Sequence, residues 1–283
     1  MSNPTVAAIM LVNGRHDMVK RAIRCFREQT YQNKHLLIYD TTPEETNFLD
    51  DVYEDGSVTV REAADLNHHG ERKTVGYLRN RANHNAEFAD IIVHLDSDDW
   101  SHPRRIEEQV ALLQASGKQC VGYRDMLFHK TFTKSDPDAL GADTWDSEGE
   151  AWLYTNTSRK YCLGTSLCYW RSAWEARPFP DAPKVAGESG EDTLWLREID
   201  SLGIESTRRH ATESEIRAHG LHPAPGVAVK DIGLMLEQEP RMIASIHGGN
   251  TSTQYQDVVG MQSSPSWRRV PEWDGHCWKM MAL

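Results

Sequence analysis

Three acidic residues lie within four positions at 96–99, where the sequence is Asp-Ser-Asp-Asp. They follow Ile91–Leu95, a nearly unbroken apolar run that is typical of a buried parallel strand. Carboxylates this close together repel one another unless a cation lies between them. Such oxygen ligands suit Mg²⁺ or Mn²⁺, which commonly bind one or two carboxylates together with substrate phosphates. The segment therefore predicts a divalent metal site whose ligands are Asp96, Asp98 and Asp99.

A simpler interpretation of the same segment is a solvated acidic turn in front of a helix that begins near Pro103, because Asp-rich loops commonly precede helices. The position of the acids favours the metal site. In an open α/β sheet, ligands bind at the carboxyl ends of the strands, which is where these acids are expected. On this segment alone, both interpretations stay open.

Strands and helices alternate in the part of the chain that leads to the acids. Val6–Val12 is apolar and predicts a strand, and a helical periodicity follows it over residues 19–26. A short strand at Leu36–Tyr39 and a helix at Gly76–Asn83 precede the apolar run. The order strand, helix, strand, helix, strand predicts βαβ units, and hence an α/β fold with a mostly parallel central sheet flanked by helices.

The rest of the chain has weaker patterns. Residues 131–150 are polar and predict a long loop or insertion, whereas helical periodicity predicts helices at Glu191–Leu202 and Val229–Gln238. A short strand is expected at Met242–Ile246, directly before a histidine. Residues 250–283 lack clear periodicity and predict an extended C-terminal segment that packs over the body of the protein.

Composition restricts the class of protein. A net charge of −11 and a pI of about 5.6 lack the positive charge typical of nucleic-acid-binding proteins. No apolar run approaches the roughly 20 residues of a membrane span, and the N-terminus lacks the apolar region of a signal peptide. Five cysteines without a Cys-x-x-Cys pair indicate reduced thiols and a cytoplasmic location. The histidines at 68–69, 219 and 222 have no partner at zinc spacing, which argues against that metal.

Several short segments, each weak alone, occur in an informative order. They are the Asn-Gly-Arg turn at 13–15, QTYQN at 29–33, a strand ending at Asp40, GYLRNRAN at 76–83, LDSDDW at 95–100, GTSLCYW at 164–170 and GEDTLW at 190–195. Together they resemble the nucleotide-sugar-dependent glycosyltransferases of family 2, which have the GT-A fold. The resemblance covers residues 5–110 and 163–197.

The resemblance implies a single GT-A catalytic domain at residues 1–249, followed by a C-terminal extension at 250–283. Within the domain, residues 1–110 would form the nucleotide-binding half and residues 111–249 the acceptor half.

The resemblance also assigns roles around the metal. Asp98 is the first choice as a direct ligand, while the first acid of such a motif, Asp96, is expected on the ribose or uridine side. His247 matches a late histidine that lies near the metal or diphosphate in many of these enzymes, so it joins Asp96, Asp98 and Asp99 as a candidate ligand. The alternative for His247 is a loop histidine without a role.

The nucleotide would lie across the first strands. By resemblance, Asp40 binds a uracil ring, Asn13 and Arg15 line the same site, and Arg79 reaches the nucleotide or its phosphates. A UDP-sugar is therefore the expected donor. The chain departs from the family at Val-Asn-Gly, residues 12–14, where Thr-Tyr-Asn is usual, and at Tyr-Asp-Thr, residues 39–41, where Val-Asp-Asp is usual.

Sugar transfer also needs a base for the acceptor hydroxyl, and a positioned carboxylate can serve. Asp192 matches the family's Glu-Asp segment and is the expected base, with Glu191 orienting the acceptor or a loop. A single base of this kind implies direct displacement with inversion. The alternative is that both acids only favour the N-terminus of a helix.

Three functions remain open at this point. The first is a metal-dependent inverting glycosyltransferase, with a glycan, a protein or a modified nucleic acid as acceptor. The second is a GT-A-like nucleotidyltransferase, although the Asn-Gly-Arg turn is short for its phosphate loop. The third is a non-catalytic nucleotide- or Ca²⁺-binding module, in which Asp192 and His247 would have no function.

Overall fold

A computed structural model describes residues 3–42, 56–62, 73–130, 149–181, 190–206, 208–210, 213–218, 220, 235–237, 240–247 and 264–282. Its strands are β1 (Val6–Val12), β2 (Lys34–Asp40), β3 (Val58–Glu62), β4 (Ile91–His94), β5 (Trp100–Ser101), β6 (Cys120–Tyr123), β7 (Asp125–Lys130), β8 (Glu150–Thr155), β9 (Cys168–Trp170), β10 (Ser201–Ile204), β11 (Arg208–His210), β12 (Met235–Glu237), β13 (Met242–Ile246) and β14 (Trp267–Arg269). Its α-helices are α1 (His16–Arg27), α2 (Val75–Asn85), α3 (Arg105–Ser116), α4 (Arg171–Ala176), α5 (Glu191–Leu196), α6 (Glu213–Ala218) and α7 (Asp274–Ala282).

The central sheet has seven strands in the order β10-β6-β9-β4-β1-β2-β3. Strands β4, β1, β2 and β3 are parallel, and so are β10 and β6, whereas β9 runs antiparallel to its neighbours β4 and β6. The α/β fold with a mostly parallel sheet and flanking helices is confirmed. The buried strands explain the apolar run at 91–95, because a strand covered on both faces has no polar face.

Helix α1 packs on this sheet with the apolar face that the sequence predicted. Val19, Ala22, Ile23 and Phe26 are buried there, together with Cys25. All five cysteines are buried and free, as expected for reduced thiols. The division of the domain into halves at residue 110 stays a prediction.

A second sheet, which the sequence did not predict, has the order β14-β8-β7-β13-β5. Its edge strand β5 follows the acids directly in the chain and pairs antiparallel with β13. Helix α7 packs on it through Cys277 and Met281, whose neighbours in the cluster include Leu127 and Ile243. The predicted strand at Met242–Ile246 is confirmed as its member β13.

Three predicted elements need correction. The helix expected at Glu191–Leu202 ends at Leu196, because Ser201–Ile204 instead pairs with β6 at the edge of the central sheet. Of the helix expected at Val229–Gln238, residues 235–237 form β12, paired antiparallel with β11, and the others lie outside the described residues. The C-terminal segment is not simply extended, since it ends in α7.

Strand β3 and the segment at 131–150 also differ in how far the sequence predicted them. Strand β3 was missed, because the sequence around it is polar. The expected loop at 131–150 lies outside the described residues except for its last two positions, the second of which begins β8.

Candidate active site

The acids lie at the edge of the sheet where three parallel strands end. Because β1, β2 and β4 are neighbours that run in one direction, the Asn-Gly-Arg turn, Asp40 and the acid segment meet at that edge. Strand β9 runs the opposite way, so the turn in front of it, Gly164–Ser166, reaches the same edge. His247 arrives there at the end of β13.

Asp98 is the centre of a charged cluster. Its Oδ2 accepts hydrogen bonds from Arg15 Nη1 and from His247 Nε2, both at 3.0 Å. Burial alone would raise the pKa of Asp98, but the hydrogen bond from His247 and the positive charge of Arg15 outweigh it and lower the pKa to about 2. Asp98 is therefore ionised at neutral pH and already lies beside a cationic side chain.

Arg15 reaches Asp98 from an unusual backbone conformation. With φ 61° and ψ 49° it is left-handed, and among the described residues it is the only non-glycine with positive φ. That conformation costs about 1 kcal/mol and is often found at functional sites. Gly14, with φ 67°, precedes it, so the two residues turn the chain from β1 into α1 and place the guanidinium against Asp98.

Asp99 is engaged by protein groups on both oxygens. Ser245 N–H donates to its Oδ1 at 3.1 Å, and the hydroxyl of Thr165 donates to its Oδ2. Burial, together with the charges of Asp98 and Asp96, raises the pKa of Asp99 well above its usual range. These bonds hold the carboxylate in place and leave one lone pair on each of its oxygens.

The turn at Gly164–Ser166 connects the acids to the predicted base. The Thr165 hydroxyl donates its proton to Asp99. Burial raises the pKa of Asp96, and the nearby Thr165 hydroxyl partly opposes that rise. On the other side, a methyl group added to Gly164 would lie 1.9 Å from Asp192 Oδ2, so this position tolerates no side chain while Asp192 keeps its place. The base candidate and the acids thus contact adjacent residues of one turn.

Buried side chains hold this turn from behind. Arg105 has no exposed surface, and its Nη2 donates to the carbonyl of Thr165 at 3.1 Å and to that of His94 at 2.7 Å. Burial lowers the pKa of His94 well below its usual range, so its imidazole is neutral and its Nδ1–H donates to the carbonyl of Gly164 at 2.8 Å. The geometry of the turn is therefore fixed by the core.

Glu191 and Asp192 open α5, as the sequence predicted, but they have different partners. Glu191 Oε1 accepts from Arg79 Nη1 at 2.6 Å, so two residues with separate predicted roles form one ion pair between α2 and α5. Asp192 Oδ1 accepts from the Thr193 N–H at 2.7 Å, a local bond that a helix-start role would also give.

The predicted nucleotide residues occupy the ends of β1 and β2. Asn13 Nδ2 donates to the Thr41 hydroxyl at 3.1 Å, and Gly14 N–H donates to the Thr42 hydroxyl at 2.8 Å. Asp40 Oδ1 accepts from the Thr42 N–H at 2.9 Å, which fixes its carboxylate beside the turn. Thr41, where the chain departs from the family, and Thr42 thus cross-link the two strand ends.

Sequence reasoning missed several residues that build the site. Arg21, Arg105, Thr165 and Ser245 all contact the acid segment or its supports. Only Thr165 carried a usable signal, since it lies in the GTSLCYW segment that resembles the family. Arg21 and Arg105 lie within helices and Ser245 lies within a strand, where an arginine or a serine carries no signal of its own.

The residues fit a divalent ion that also binds a substrate. Within the described parts of the chain, no three His, Cys, Asp or Glu side chains form a ready-made metal cage. Asp98 and His247 are nevertheless 3.0 Å apart, and Mg²⁺ or Mn²⁺ commonly takes few protein ligands and completes its coordination with phosphate oxygens. Asp98 and His247 would hold the ion; beside them, burial and then the charges of Asp98 and Asp96 raise the pKa of Asp99.

Substituting Gly164 by alanine tests the turn. We expect kcat to fall roughly 100-fold, because the new methyl group must displace Asp192 Oδ2 and a shift of about 1 Å can have that effect on catalysis. Nucleotide affinity should stay near that of the wild type. Gly275→Ala, in open space on α7, is the matched control in steady-state kinetics. Normal turnover of Gly164→Ala would show that the position of Asp192 does not matter.

A comparison with known families identifies the chain. The model of glycosyl transferase family 2 matches residues 8–162, more than half of the sequence. The chain belongs to glycosyl transferase family 2. The matched region of this family 2 protein contains the acid segment and all of the predicted nucleotide-binding residues, while Glu191, Asp192 and His247 lie beyond it. No curated protein is similar enough in sequence to count as a relative.

Solved structures show the same GT-A fold. The S. aureus TarS 1-349 complex with UDP-GlcNAc has a TM-score of 0.53 at 12% identity, covering 91% of this chain and 64% of TarS 1-349. The complex of TarS 1-349 with UDP has a TM-score of 0.52 at 12% identity, covering 86% and 60%. The mannosyltransferase PcManGT from Pyrobaculum calidifontis, with GDP-Man and Mn²⁺, has a TM-score of 0.50 at 14% identity, covering 72% and 56%. This family 2 chain thus spans less than two thirds of each of these solved chains.

In the part of this family 2 protein that the structure describes, no helix is both long and apolar enough to cross a membrane.

Proposed function

We propose that this protein is a metal-dependent, inverting glycosyltransferase that moves a sugar from a UDP-sugar to an acceptor hydroxyl. The observation that supports this most is the turn at Gly164–Ser166, which contacts Asp192 on one side and Asp99 on the other. A donor-binding acid cluster and an acceptor-activating base must lie this close, because the anomeric carbon lies between the diphosphate and the acceptor hydroxyl.

The positive charges of the site would bind the diphosphate of the donor. Asp98 and His247 would hold Mn²⁺ or Mg²⁺, which when bound acts as a Lewis acid on the departing diphosphate. Arg15 pairs with Asp98, and the charge of Arg79 acts on Asp96 as well as on Glu191. Both can bind phosphate oxygens with planar guanidinium groups. Asp96 would lie toward the ribose or uridine.

The acceptor side rests on α5. Asp192 would take the proton of the acceptor hydroxyl as that oxygen attacks the anomeric carbon, which would invert its configuration. Glu191 would orient the acceptor or the loop before it, because its ion pair with Arg79 holds the start of α5 against α2. The acceptor would be a hydroxyl group of a glycan, a protein or a modified nucleic acid.

The nucleotide can be tested directly. We expect UDP with Mn²⁺ to raise the melting temperature more than GDP, ADP or CMP at equal concentration, because Asp40 is fixed at the end of β2, where the family binds uracil. UDP-sugars with Mn²⁺ should also release UDP slowly without acceptor, and EDTA should stop this release. A larger shift with GDP would point to a mannose-type donor, as in the complex of PcManGT.

The same assay separates the alternatives. A nucleotidyltransferase would need a longer phosphate loop after β1, but α1 begins at His16, directly after the Asn-Gly-Arg turn. A Ca²⁺-binding module would bind the nucleotide or ion without releasing UDP. Absence of turnover with every nucleotide sugar, despite tight nucleotide binding, would favour that module.

A further inference from the structure

Arg21 is a buried arginine of α1 that the proposed chemistry does not use. Its side chain is directed toward the acid segment, and the residue is 5% exposed. Nη2 donates to the main-chain carbonyl of Asp98 at 2.5 Å and to Ser245 Oγ at 3.4 Å. Nη1 donates to the main-chain carbonyl of Met281 at 2.6 Å. One guanidinium therefore joins the acid segment, β13 and the C-terminal helix α7.

The partners of Arg21 are groups that a helix end and a loop leave unsatisfied. The carbonyl of Met281 lies in the last turn of α7, where main-chain acceptors have no partner inside the helix. The carbonyl of Asp98 lies in a turn outside any strand and also accepts from the Ser245 hydroxyl. Arg21 supplies donors to both, and its charge lies near the carboxylates of Asp98 and Asp99.

Ser245 completes the connection on the strand side. Its N–H binds Asp99 Oδ1 and its hydroxyl binds the carbonyl of Asp98, so it holds both acids from β13, two residues before His247. Met281 and Cys277 anchor α7 in the apolar cluster beneath this strand, which includes Ile243. The acid segment, the histidine and the C-terminal helix are thus parts of one packed unit.

We propose that Arg21 is a positioning residue that couples the docking of α7 to the geometry of Asp98 and His247, so that metal affinity depends on the C-terminal helix. This inference rests on the proposed function, in which Asp98 and His247 hold the ion. Residues that orient metal ligands typically change metal affinity by about 10- to 100-fold when they are substituted. Arg21 would act in this way although it contacts neither metal nor substrate.

The test measures Mn²⁺ affinity by electron paramagnetic resonance in the presence of UDP. Arg21→Gln should weaken Mn²⁺ binding about tenfold or more, and Arg21→Lys should restore only part of the loss, since one ammonium cannot reach both carbonyls in the same geometry. Arg24→Gln, on the exposed face of the same helix, is the matched control and should bind as the wild type does. An Arg21→Gln protein with unchanged affinity would overturn the proposal.

A double-mutant cycle tests the coupling to α7. Met281→Ala should weaken Mn²⁺ binding by itself, and combining it with Arg21→Gln should add little, because both changes would release the same clamp. Fully additive effects would mean that the helix and Arg21 act independently, which would overturn the coupling. If Arg21→Gln does not fold, Ser245→Ala takes its place in the cycle, since it removes the other donor to the Asp98 carbonyl.

Hydrogen exchange separates this proposal from the proposed function. In metal-free protein, Arg21→Gln should accelerate amide exchange both at the end of α7 and at Ser245, while exchange in β1 stays unchanged. Wild-type protein that binds no Mn²⁺ would refute the metal-dependent function, but the exchange data would still decide whether the clamp exists. Faster exchange at only one of the two places would contradict the coupling.

Discussion

Replacing Asp192 by asparagine is expected to lower kcat by about 100-fold or more, with UDP-sugar binding nearly unchanged. Asparagine keeps the shape of the side chain and can still accept from the Thr193 N–H, but it cannot take a proton from the acceptor hydroxyl. The measurement is steady-state kinetics with donor affinity determined separately. Asp200→Asn, an exposed carboxylate paired with Lys118, is the matched control.

Other results with Asp192→Asn would change the assignment in definite ways. An equal loss of donor affinity would place Asp192 in the nucleotide or metal site. Unchanged kcat would leave Glu191 and Asp192 as acids that only favour the start of α5. Product analysis by NMR gives an independent check, because retention of the anomeric configuration would exclude direct displacement with a single base.

Asp98→Asn is expected to abolish transfer and to destabilise the metal-free protein. At neutral pH the charge of Asp98 is stabilised by folding, because its pKa is lowered from 3.8 to about 2. A lowered pKa contributes stability that is fully present above the unfolded value and is lost as pH falls toward the folded value. The shift corresponds to roughly 2 kcal/mol, so the melting temperature should fall by several degrees.

Asp99→Asn is the matched comparison, because the surroundings of Asp99 raise the pKa of its carboxyl, whereas those of Asp98 lower it. Burial and neighbouring acids raise the pKa of Asp99, so loss of its charge should not lower the melting temperature. Repulsion among three acids would instead predict that either substitution stabilises the protein. Wild-type turnover of Asp98→Asn, or turnover that EDTA does not inhibit, would show that Asp98 does not serve a metal.

The sequence predicted those parts of the site in which a strand or helix and the candidate residues are adjacent in the chain. The apolar run of β4 and the acids after it are adjacent in the chain, so strand, turn and candidate ligands could all be inferred from ten residues. The same holds for Asp40 at the end of β2 and for the acids that open α5. The position of each of these residues is set by one short strand or by the start of one helix.

Contacts between distant segments could not be predicted in this way. Glu191 binds Arg79 across 112 positions, and Ser245 binds Asp99 across 146, and neither pair carries a spacing signal. Thr165 lies in the GTSLCYW segment, but a hydroxyl in a turn has no periodicity or charge that would assign it a role. The end of α5 was misplaced because apolar residues continue beyond Leu196, although there they form an edge strand rather than another helical turn.

The partners of the acid segment come from widely separated parts of the chain, with consequences for how the enzyme is made. Arg15 and Arg21 precede the acids, whereas Thr165, Ser245 and His247 follow them, as does the Met281 carbonyl that Arg21 binds. β1, β2 and β4 are synthesised before β13 and α7, because the chain is made from its N-terminus. Ser245 and His247 at β13 and the Met281 carbonyl of α7, which accepts from Arg21, are made after the acids, so the contacts of the acid segment with β13 and of Arg21 with α7 cannot form until these late segments have been synthesised.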